Sequence, residues 1–416
     1  MTLAQWLSRI ESMHPTEIEL GLERVREVYQ RMNFALPGLV ITVAGTNGKG
    51  SVCALLEAIA LQAGYRVATY TSPHLIHFNE RARWLGEAAS DEELVAAFEA
   101  VEQARGEVSL TYFEFSTLAI LWLFAHHEPD LTILEVGLGG RLDAVNIVDA
   151  DCSIVTCVDI DHVSFLGSDR ETIGWEKAHV FRPGRPAICA DPVPPAALID
   201  YAAQIGADLR LFGRDFNYAG DRQQWSFAGR AQRRNSLAYP ALRGANQLLN
   251  ASAALAAFEA LRDTMPITAQ AVRTGLATVS LPGRCQMLPG RPQVILDVAH
   301  NPHAAAHLAA NLDNMGFFPF TYGVFGVMAD KDIDKVIDAM GDRIDHWLVV
   351  DLPTPRAASA ESVAAKLRAR GFGDEGDRTV RTVANARLAL AQARESANEA
   401  DRIVVFGSFY TVADTL

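Results

Sequence analysis

Long apolar runs, basic residues and paired cysteines are all scarce in this chain, and each shortage closes off a class of protein. The longest helical apolar run, Leu118 to Ala125, is far too short to cross a bilayer. Met1 to Glu11 holds no basic segment followed by an apolar one, so no secretory signal is visible. The 37 Lys and Arg residues are outnumbered by 50 Asp and Glu, a net charge of −13, which disfavours nonspecific binding to nucleic acid or a membrane. A local basic pocket for an anionic substrate remains compatible with that balance. The five cysteines (Cys53, Cys152, Cys157, Cys189 and Cys285) are odd in number and show no C-x-x-C spacing. Most fall in apolar strand or helix patterns, which predicts buried free thiols and a cytoplasmic protein. Long biased segments and short internal repeats are also missing, so neither disorder nor a repeat array is expected.

What is present is the composition of a folded α/β protein. Hydrophobic residues make up 49% and charged residues 21% of 416, enough for a sizeable core divided among two or three domains of about 150 residues each. Strand-like runs read at Leu39–Ala44, Arg66–Thr71, Leu131–Val136, Ser153–Val158 and Ala187–Ala190. Helical patterns alternate with them at Val52–Ala63, Asp91–Arg105, Phe113–His126, Arg170–Val180 and Ala196–Ile205. Such alternation predicts right-handed crossovers, a mostly parallel sheet and ligands beyond the carboxyl ends of its strands. Leu209–Phe227 alternates aromatic and polar residues and suggests a small antiparallel insert, followed by helices near Asn246–Arg262 and Thr268–Thr278. The Pro-Gly pairs at 282–283 and 289–290 read as a linker. Beyond it the pattern restarts, with strands at Val294–Val298, Tyr322–Val327, Trp347–Asp351 and Ile403–Gly407 and helices after Pro302, Asp332, Ser359 and Val383. Two α/β domains are therefore expected, 1–284 and 285–416.

The first strand runs into Gly45-Thr46-Asn47-Gly48-Lys49-Gly50-Ser51 and then into a helix. Strand, glycine-rich turn and helix N-terminus gather backbone N–H groups and a positive dipole end around one point, a cradle for phosphate. Lys49 adds a point charge for the β- and γ-phosphates. The match to G-x-x-x-x-G-K-[ST] is imperfect: Val43 stands at the first glycine, and Gly50 stands where a hydroxyl is usual, with Ser51 one step later. An ordinary turn would also use Gly, Asn and Thr, but would not need this order of elements.

Other strand ends carry polar residues. Ser72, in Thr71-Ser72-Pro73, could reach a magnesium ion or simply turn the chain before proline. Glu135 opens Glu135-Val136-Gly137-Leu138-Gly139-Gly140. That stretch fails the dinucleotide fingerprint, since Leu142 stands at the third glycine. A buried strand-end glutamate needs a partner, and a metal ion would supply one. His162, in Asp159-Ile160-Asp161-His162, fits a metal ligand, a general base or a structural histidine equally well. Hydroxyl, carboxylate and imidazole, completed by phosphate oxygens and water, would suit Mg²⁺. By spacing alone Lys177 is an ordinary helix lysine. In the second domain Asn301 and Pro302 read as a helix cap and first residue, whereas Asp297 and His300 are left facing a cleft.

Taken together, GTNGKGS, TSPHL, LTYFE, EVGLGGRLDAVN, DHVSFLG, WEKAHVFRPG, LPGR and DVAHNPHA occur in order, and the chain resembles the bacterial folylpolyglutamate synthase/dihydrofolate synthase family of Mur-ligase-like enzymes. The likeness runs from about residue 15 to Gly407-Ser408-Phe409-Tyr410-Thr411-Val412. It implies a P-loop-type ATPase domain followed by a smaller Rossmann-like domain. ATP would bind at Thr46, Asn47, Gly48, Lys49, Gly50, Ser51 and Asn250, with Arg284 and Asp297 closing over it. Ser72, Glu135 and His162 would hold Mg²⁺. Lys177 would be carbamylated, and His300 would serve the catalytic cleft. Thr111, Tyr112, Phe113 and Glu114 would hold the substrate, the two aromatic rings lying against a flat pterin. The substrates would be dihydropteroate or reduced folates with L-glutamate, ligated through an acyl phosphate that domain closure protects from water. A dihydrofolate synthase alone is an alternative, as is a peptidoglycan Mur ligase, although the loop at residue 45 leaves little chain before it for a uridine-nucleotide domain. A monomer is expected, with no nucleic-acid or membrane partner.

Overall fold

The computed structural model describes residues 1–221, 223–244 and 246–416. They form two compact units, 1–241 with 248–279 and 242–247 with 280–416. Arg222, inside the predicted antiparallel insert, lies outside the described residues.

In chain order the strands of the first unit are β1 (Leu39–Ala44), β2 (Val67–Tyr70), β3 (Ala82–Trp84), β4 (Glu87–Ala88), β5 (Leu131–Glu135), β6 (Cys152–Val155), β7 (Pro186–Cys189) and β8 (Asp208–Leu211). β9 (Asn217–Gly220), β10 (Trp225–Ala228) and β11 (Arg233–Leu237) follow. The first eight lie in the order β4-β3-β2-β5-β1-β6-β7-β8, parallel from β2 to β8, with β3 and β4 added antiparallel at one edge. β1 reads Leu-Val-Ile-Thr-Val-Ala and is buried on both faces past its first residue, as parallel strands covered by helices are. The helix Lys49–Gln62 is correspondingly apolar nearly all round. Gly275, in the helix Ala269–Thr278, lets that helix approach closely: a Cβ there would stand 2.7 Å from the Cα of Ile59. The chain leaves β1 across β5 to reach β2, and later leaves β5 across β1 to reach β6. The crevice at the carboxyl end of β1 is therefore the switch point where open α/β sheets take their ligands.

Register puts polar groups at that crevice. Val43 lies opposite Glu135, and Ala44 lies opposite Val155, so Glu135 and the residues just after β6 stand level with the glycine-rich loop. The strand predicted at Ser153–Val158, observed as β6, is shorter than expected. It stops at Val155 rather than Val158, because Thr156 to Val158 turn their polar atoms elsewhere, as shown below. The predicted insert also starts later: Asp208–Leu211 joins the main sheet in parallel as β8, and only β9 to β11 form the antiparallel sheet.

The second unit carries β12 (Gln286–Leu288), β13 (Gln293–Leu296), β14 (Thr321–Phe325), β15 (His346–Val350), β16 (Thr379–Val383) and β17 (Arg402–Phe406), in the order β12-β13-β17-β14-β15-β16. All neighbours are parallel except β12 with β13. Its core gathers Phe325, Phe372 and Phe406 around Trp347 at centroid distances of 5.6 to 6.1 Å. Asn301, Asp332, Ser359 and Asn385 each cap a helix by accepting a backbone N–H of its first turn, which is why these starts are legible in sequence. β16 is not: it is an edge strand with three of five residues outside the core, so its apolar pattern is weak. Among the described residues no helix is long and apolar enough to cross a membrane.

Candidate active site

The loop after β1 has the geometry the glycines promise. Gly45 adopts φ +146°, and a Cβ there would fall 1.8 Å from the Thr156 hydroxyl oxygen. Gly48 adopts φ +89°, and its Cβ would fall 2.8 Å from Oδ1 of Asn250. Positive φ and a lack of room both require glycine at these two places. Gly48 is also the N-cap of the helix Lys49–Gln62 and supplies no side-chain cap, as an anion-binding helix end requires. Lys49 Nζ donates to the carbonyls of Gly45 at 3.1 Å and Thr46 at 3.4 Å, which holds the ammonium over the loop. Ser51 is buried in the first turn. Thr46 to Ser51 and Asn250 are thus brought together.

Glu135 lies at the end of β5 with 6% of its surface exposed and accepts a hydrogen bond from the Ser72 N–H at 3.1 Å. Two proposed metal ligands from different strand ends therefore meet. His162 precedes the short helix Val163–Leu166 with φ +51°, a left-handed conformation a β-carbon disfavours and functional sites often retain. Among the described residues no group of three or more His, Cys, Asp or Glu side chains is arranged to hold a metal. A set of one hydroxyl, one carboxylate and one imidazole, drawing its other donors from phosphate and water, is consistent with that and with a hard divalent cation.

Burial overturns the reading of Lys177 as an ordinary helix lysine. It is 3% exposed within the helix Arg170–Ala178, packed where Gly140 allows close approach: a Cβ on Gly140 would stand 3.1 Å from the Lys177 Cα. Burial, aided by the charge of Lys49, lowers its pKa to about 7, against the opposing pull of Cys157, Asp161 and Asp143. Asp143 is a residue that sequence reasoning missed. Burial pushes its carboxyl up to about 6 although the N–H groups of Leu138 and Val145 donate to it. The only sequence signal was a lone acid in a glycine-rich, apolar turn.

The segment Thr111 to Glu114 splits between two jobs. Thr111 caps the helix Tyr112–His127, Glu114 closes the capping box, and Glu114 also pairs with Arg24 at 3.1 Å. Phe113 packs 2.6 Å from where a Gly137 Cβ would be and lies near-parallel to Tyr70, centroids 6.2 Å apart. Tyr112 meets Phe78 edge-on at 6.1 Å, with the Arg81 guanidinium 5.4 Å from its ring centre. Arg81 Nε donates to His74 Nδ1 at 2.9 Å. Burial, then the Arg81 charge, lowers the His74 pKa to about 4, so the ring is neutral and able to accept. Aromatic faces and one cation are thus grouped beside the strand end that bears Ser72.

In the second unit Asp297 accepts the N–H groups of Cys285 and Ala299, both at 2.8 Å. Burial raises its pKa, opposed first by Arg284. The Arg284 guanidinium lies 5.1 Å from the Phe409 ring centre, and the same ring is 6.4 Å from His300. His300 Nδ1 faces the Val298 carbonyl at 2.8 Å. A carbonyl only accepts, so Nδ1 carries the hydrogen. Arg284, Asp297 and His300 are therefore neighbours.

Residues 283–409 match the family described as Mur ligase, glutamate ligase domain. Over 415 residues the chain is 42% identical to the dihydrofolate synthase/folylpolyglutamate synthase of Escherichia coli (strain K12), covering 100% of this chain and 94% of that protein. Its fold is similar to E. coli FolC in complex with DHPP and ADP, with a TM-score of 0.94 and 41% identity over 99% of this chain and 96% of that one. A bifunctional folylpolyglutamate synthase/dihydrofolate synthase with Mn, AMPPNP and L-glutamate bound superposes with a TM-score of 0.91 and 41% identity, covering 99% of this chain and 97% of the other.

Proposed function

Since this chain belongs to the dihydrofolate synthase/folylpolyglutamate synthase family, we propose that its strand-end cluster carries out the ATP-dependent joining of L-glutamate to a pteroate or folate carboxylate. Dihydropteroate with glutamate yields dihydrofolate, and a reduced folate with glutamate yields the polyglutamate. The observation that carries the reading is the loop Gly45 to Ser51, with Lys49 held over it and Glu135 in register with Val43, two residues before its start.

A carboxylate is a poor acylating agent, so its oxygen first attacks the γ-phosphorus of ATP and ADP leaves. Lys49 and the loop amides offset charge on the transferring group. The glutamate amine then attacks the acyl carbon, and phosphate departs from the tetrahedral intermediate. Mg²⁺, when bound, neutralises phosphate charge, and Ser72, Glu135 and His162 are proposed to hold it. Asn250, Arg284 and Asp297 are proposed nucleotide contacts and His300 a catalytic residue. Tyr112 and Phe113, with Thr111 and Glu114 setting their helix, are proposed to hold the pterin. Residues 1–284 are read as the ATP-binding domain and 285–416 as the glutamate ligase domain. All five cysteines are free thiols, which supports a cytoplasmic enzyme; a monomer is proposed.

Lys177 is proposed to be carbamylated. Its amine titrates near neutrality, so a large fraction is neutral and nucleophilic at pH 7 to 8. Nζ attacks the carbon of CO₂, an N–C bond forms, an amine proton leaves, and an anionic carbamate replaces the ammonium.

The function is tested by phosphate release from Mg-ATP with L-glutamate and either dihydropteroate or tetrahydrofolate. Release and ligated product with both are expected; no product with either would overturn the substrate assignment. For the metal ligands, Glu135→Gln is expected to lower turnover by about 10²-fold and leave the ADP dissociation constant within threefold by calorimetric titration. Unchanged turnover would overturn the assignment of Glu135.

A further inference from the structure

Of the four residues after β6, Thr156, Cys157 and Asp159 each touch the phosphate loop. The Thr156 N–H donates to the Ala44 carbonyl at 2.9 Å, extending the strand ladder by one bond. The Thr156 hydroxyl then donates to the Asn47 carbonyl at 2.6 Å, standing in the space that the missing Gly45 side chain leaves. The Cys157 carbonyl accepts the Thr46 N–H at 2.9 Å. Its thiol sulfur lies 3.3 Å from both the Asn47 nitrogen and the Asn47 oxygen. The Thr46 hydroxyl lies 3.0 Å from the Asp159 carbonyl, to which it donates, and 3.0 Å from the Asp159 N–H, which it accepts.

The far side of this segment is anchored as firmly. The Val158 N–H donates to Asp191 at 2.7 Å, its carbonyl accepts from Arg170 at 2.8 Å, and Arg170 pairs with Asp191 at 3.0 Å. Thr156 to Asp159 thus form a bracket between the loop and an ion pair of the buried Asp191 with the part-exposed Arg170.

We infer that Thr156 is a positioning residue for ATP, its hydroxyl aiming the Gly48 amide at the phosphates. The peptide joining Asn47 to Gly48 is planar and trans, so its C=O and N–H point in opposite directions. Holding the Asn47 carbonyl against Thr156 therefore turns the Gly48 N–H the other way, toward the cradle at the helix end. Without that hydroxyl the Asn47 carbonyl keeps only the longer, weaker contact with the Cys157 thiol, and the amide is less firmly oriented before a nucleotide binds. The serine or threonine usual right after the loop lysine is absent here, and a threonine on the adjacent strand end governs the loop from outside it. The inference rests on the reading of Gly45 to Ser51 as a phosphate cradle.

The test compares Thr156→Val, which keeps the β-branched shape and loses the hydroxyl, with Thr156→Ser, which keeps the hydroxyl. ADP binding is followed by calorimetry, and steady-state constants are measured for each substrate. Thr156→Val is expected to weaken ADP binding and raise the KM for ATP about tenfold, with the KM values for dihydropteroate and glutamate within twofold and the melting temperature nearly unchanged. Thr156→Ser is expected to return ADP affinity to within threefold of the natural protein. Wild-type ADP affinity in Thr156→Val would overturn the inference, as would a serine variant as weak as the valine one. A uniform rise in every KM together with a lower melting temperature would overturn it as well, by reducing Thr156 to a fold residue. ADP binding needs no ligation, so a failure of the substrate assignment leaves this measurement readable.

Discussion

Lys49→Met is expected to lower kcat by about 10³-fold with either acceptor, the loss that follows removal of a cation aimed at a transferring phosphoryl group. Nζ of Lys49 donates to two loop carbonyls, so little of the fold depends on it. The melting temperature is accordingly expected to stay within a few degrees. Lys49→Arg is expected to recover little, because a planar fork on a longer arm does not place its charge where a compact ammonium does. Phosphate-release kinetics at saturating ATP checks both variants. A kcat within tenfold of the natural enzyme would remove Lys49 from the chemistry and leave the loop as a binding feature alone.

The second large effect is expected at Lys177. Lys177→Met should abolish most turnover, about 10³-fold if the carbamate supports a metal-assisted step worth several kcal/mol, while the protein becomes no less stable. The stability sign follows from the depressed pKa. Between about pH 7, the folded value, and the ordinary lysine value of about 10.4, the unfolded chain binds the proton and the folded chain does not. The natural protein therefore gains stability with rising pH across that window relative to Lys177→Met, and loses it as pH falls toward 7, where folding must bury an ammonium. Calorimetry of both proteins in CO₂-free buffer at pH 7 and pH 9 should show the gap between their melting temperatures narrowing at the higher pH. Activity should respond to bicarbonate above pH 7 and hardly below it, since only the neutral amine attacks CO₂. Full activity of Lys177→Met, or a mass spectrum at pH 8 with bicarbonate that never shows the carbamate, would sink the proposal.

Much of the architecture was legible because it is written in local chemistry. β1, the helix Asp91–Arg105 and the helix starts at Asn301 and Ser359 each announce themselves by a β-branched run or a cap. What stayed hidden had weak local signals. The helices Leu3–Glu11 and Glu23–Met32 went unread, and so did the short strands β3 and β4 and the edge strand β16, whose polar faces dilute the apolar period. Ser153–Val158 misled for a different reason: Thr156 to Val158 are apolar and β-branched enough to read as strand, but their polar atoms serve the loop and Asp191.

The sequence by itself determined the phosphate loop, the order of elements and the residues whose type alone restricts them, such as Gly48 with its positive φ and Lys49 at a helix start. Only the tertiary structure decided that Lys177 is buried beside the charge of Lys49, that Asp143 is enclosed, and that Thr156 reaches across to Asn47, 109 positions away in the chain. Caps, turns and strand propensities act over a few residues and leave their mark in the local sequence. Desolvation and cross-strand hydrogen bonds depend on which distant segments pack together, and a side chain's own neighbours in sequence carry no record of that.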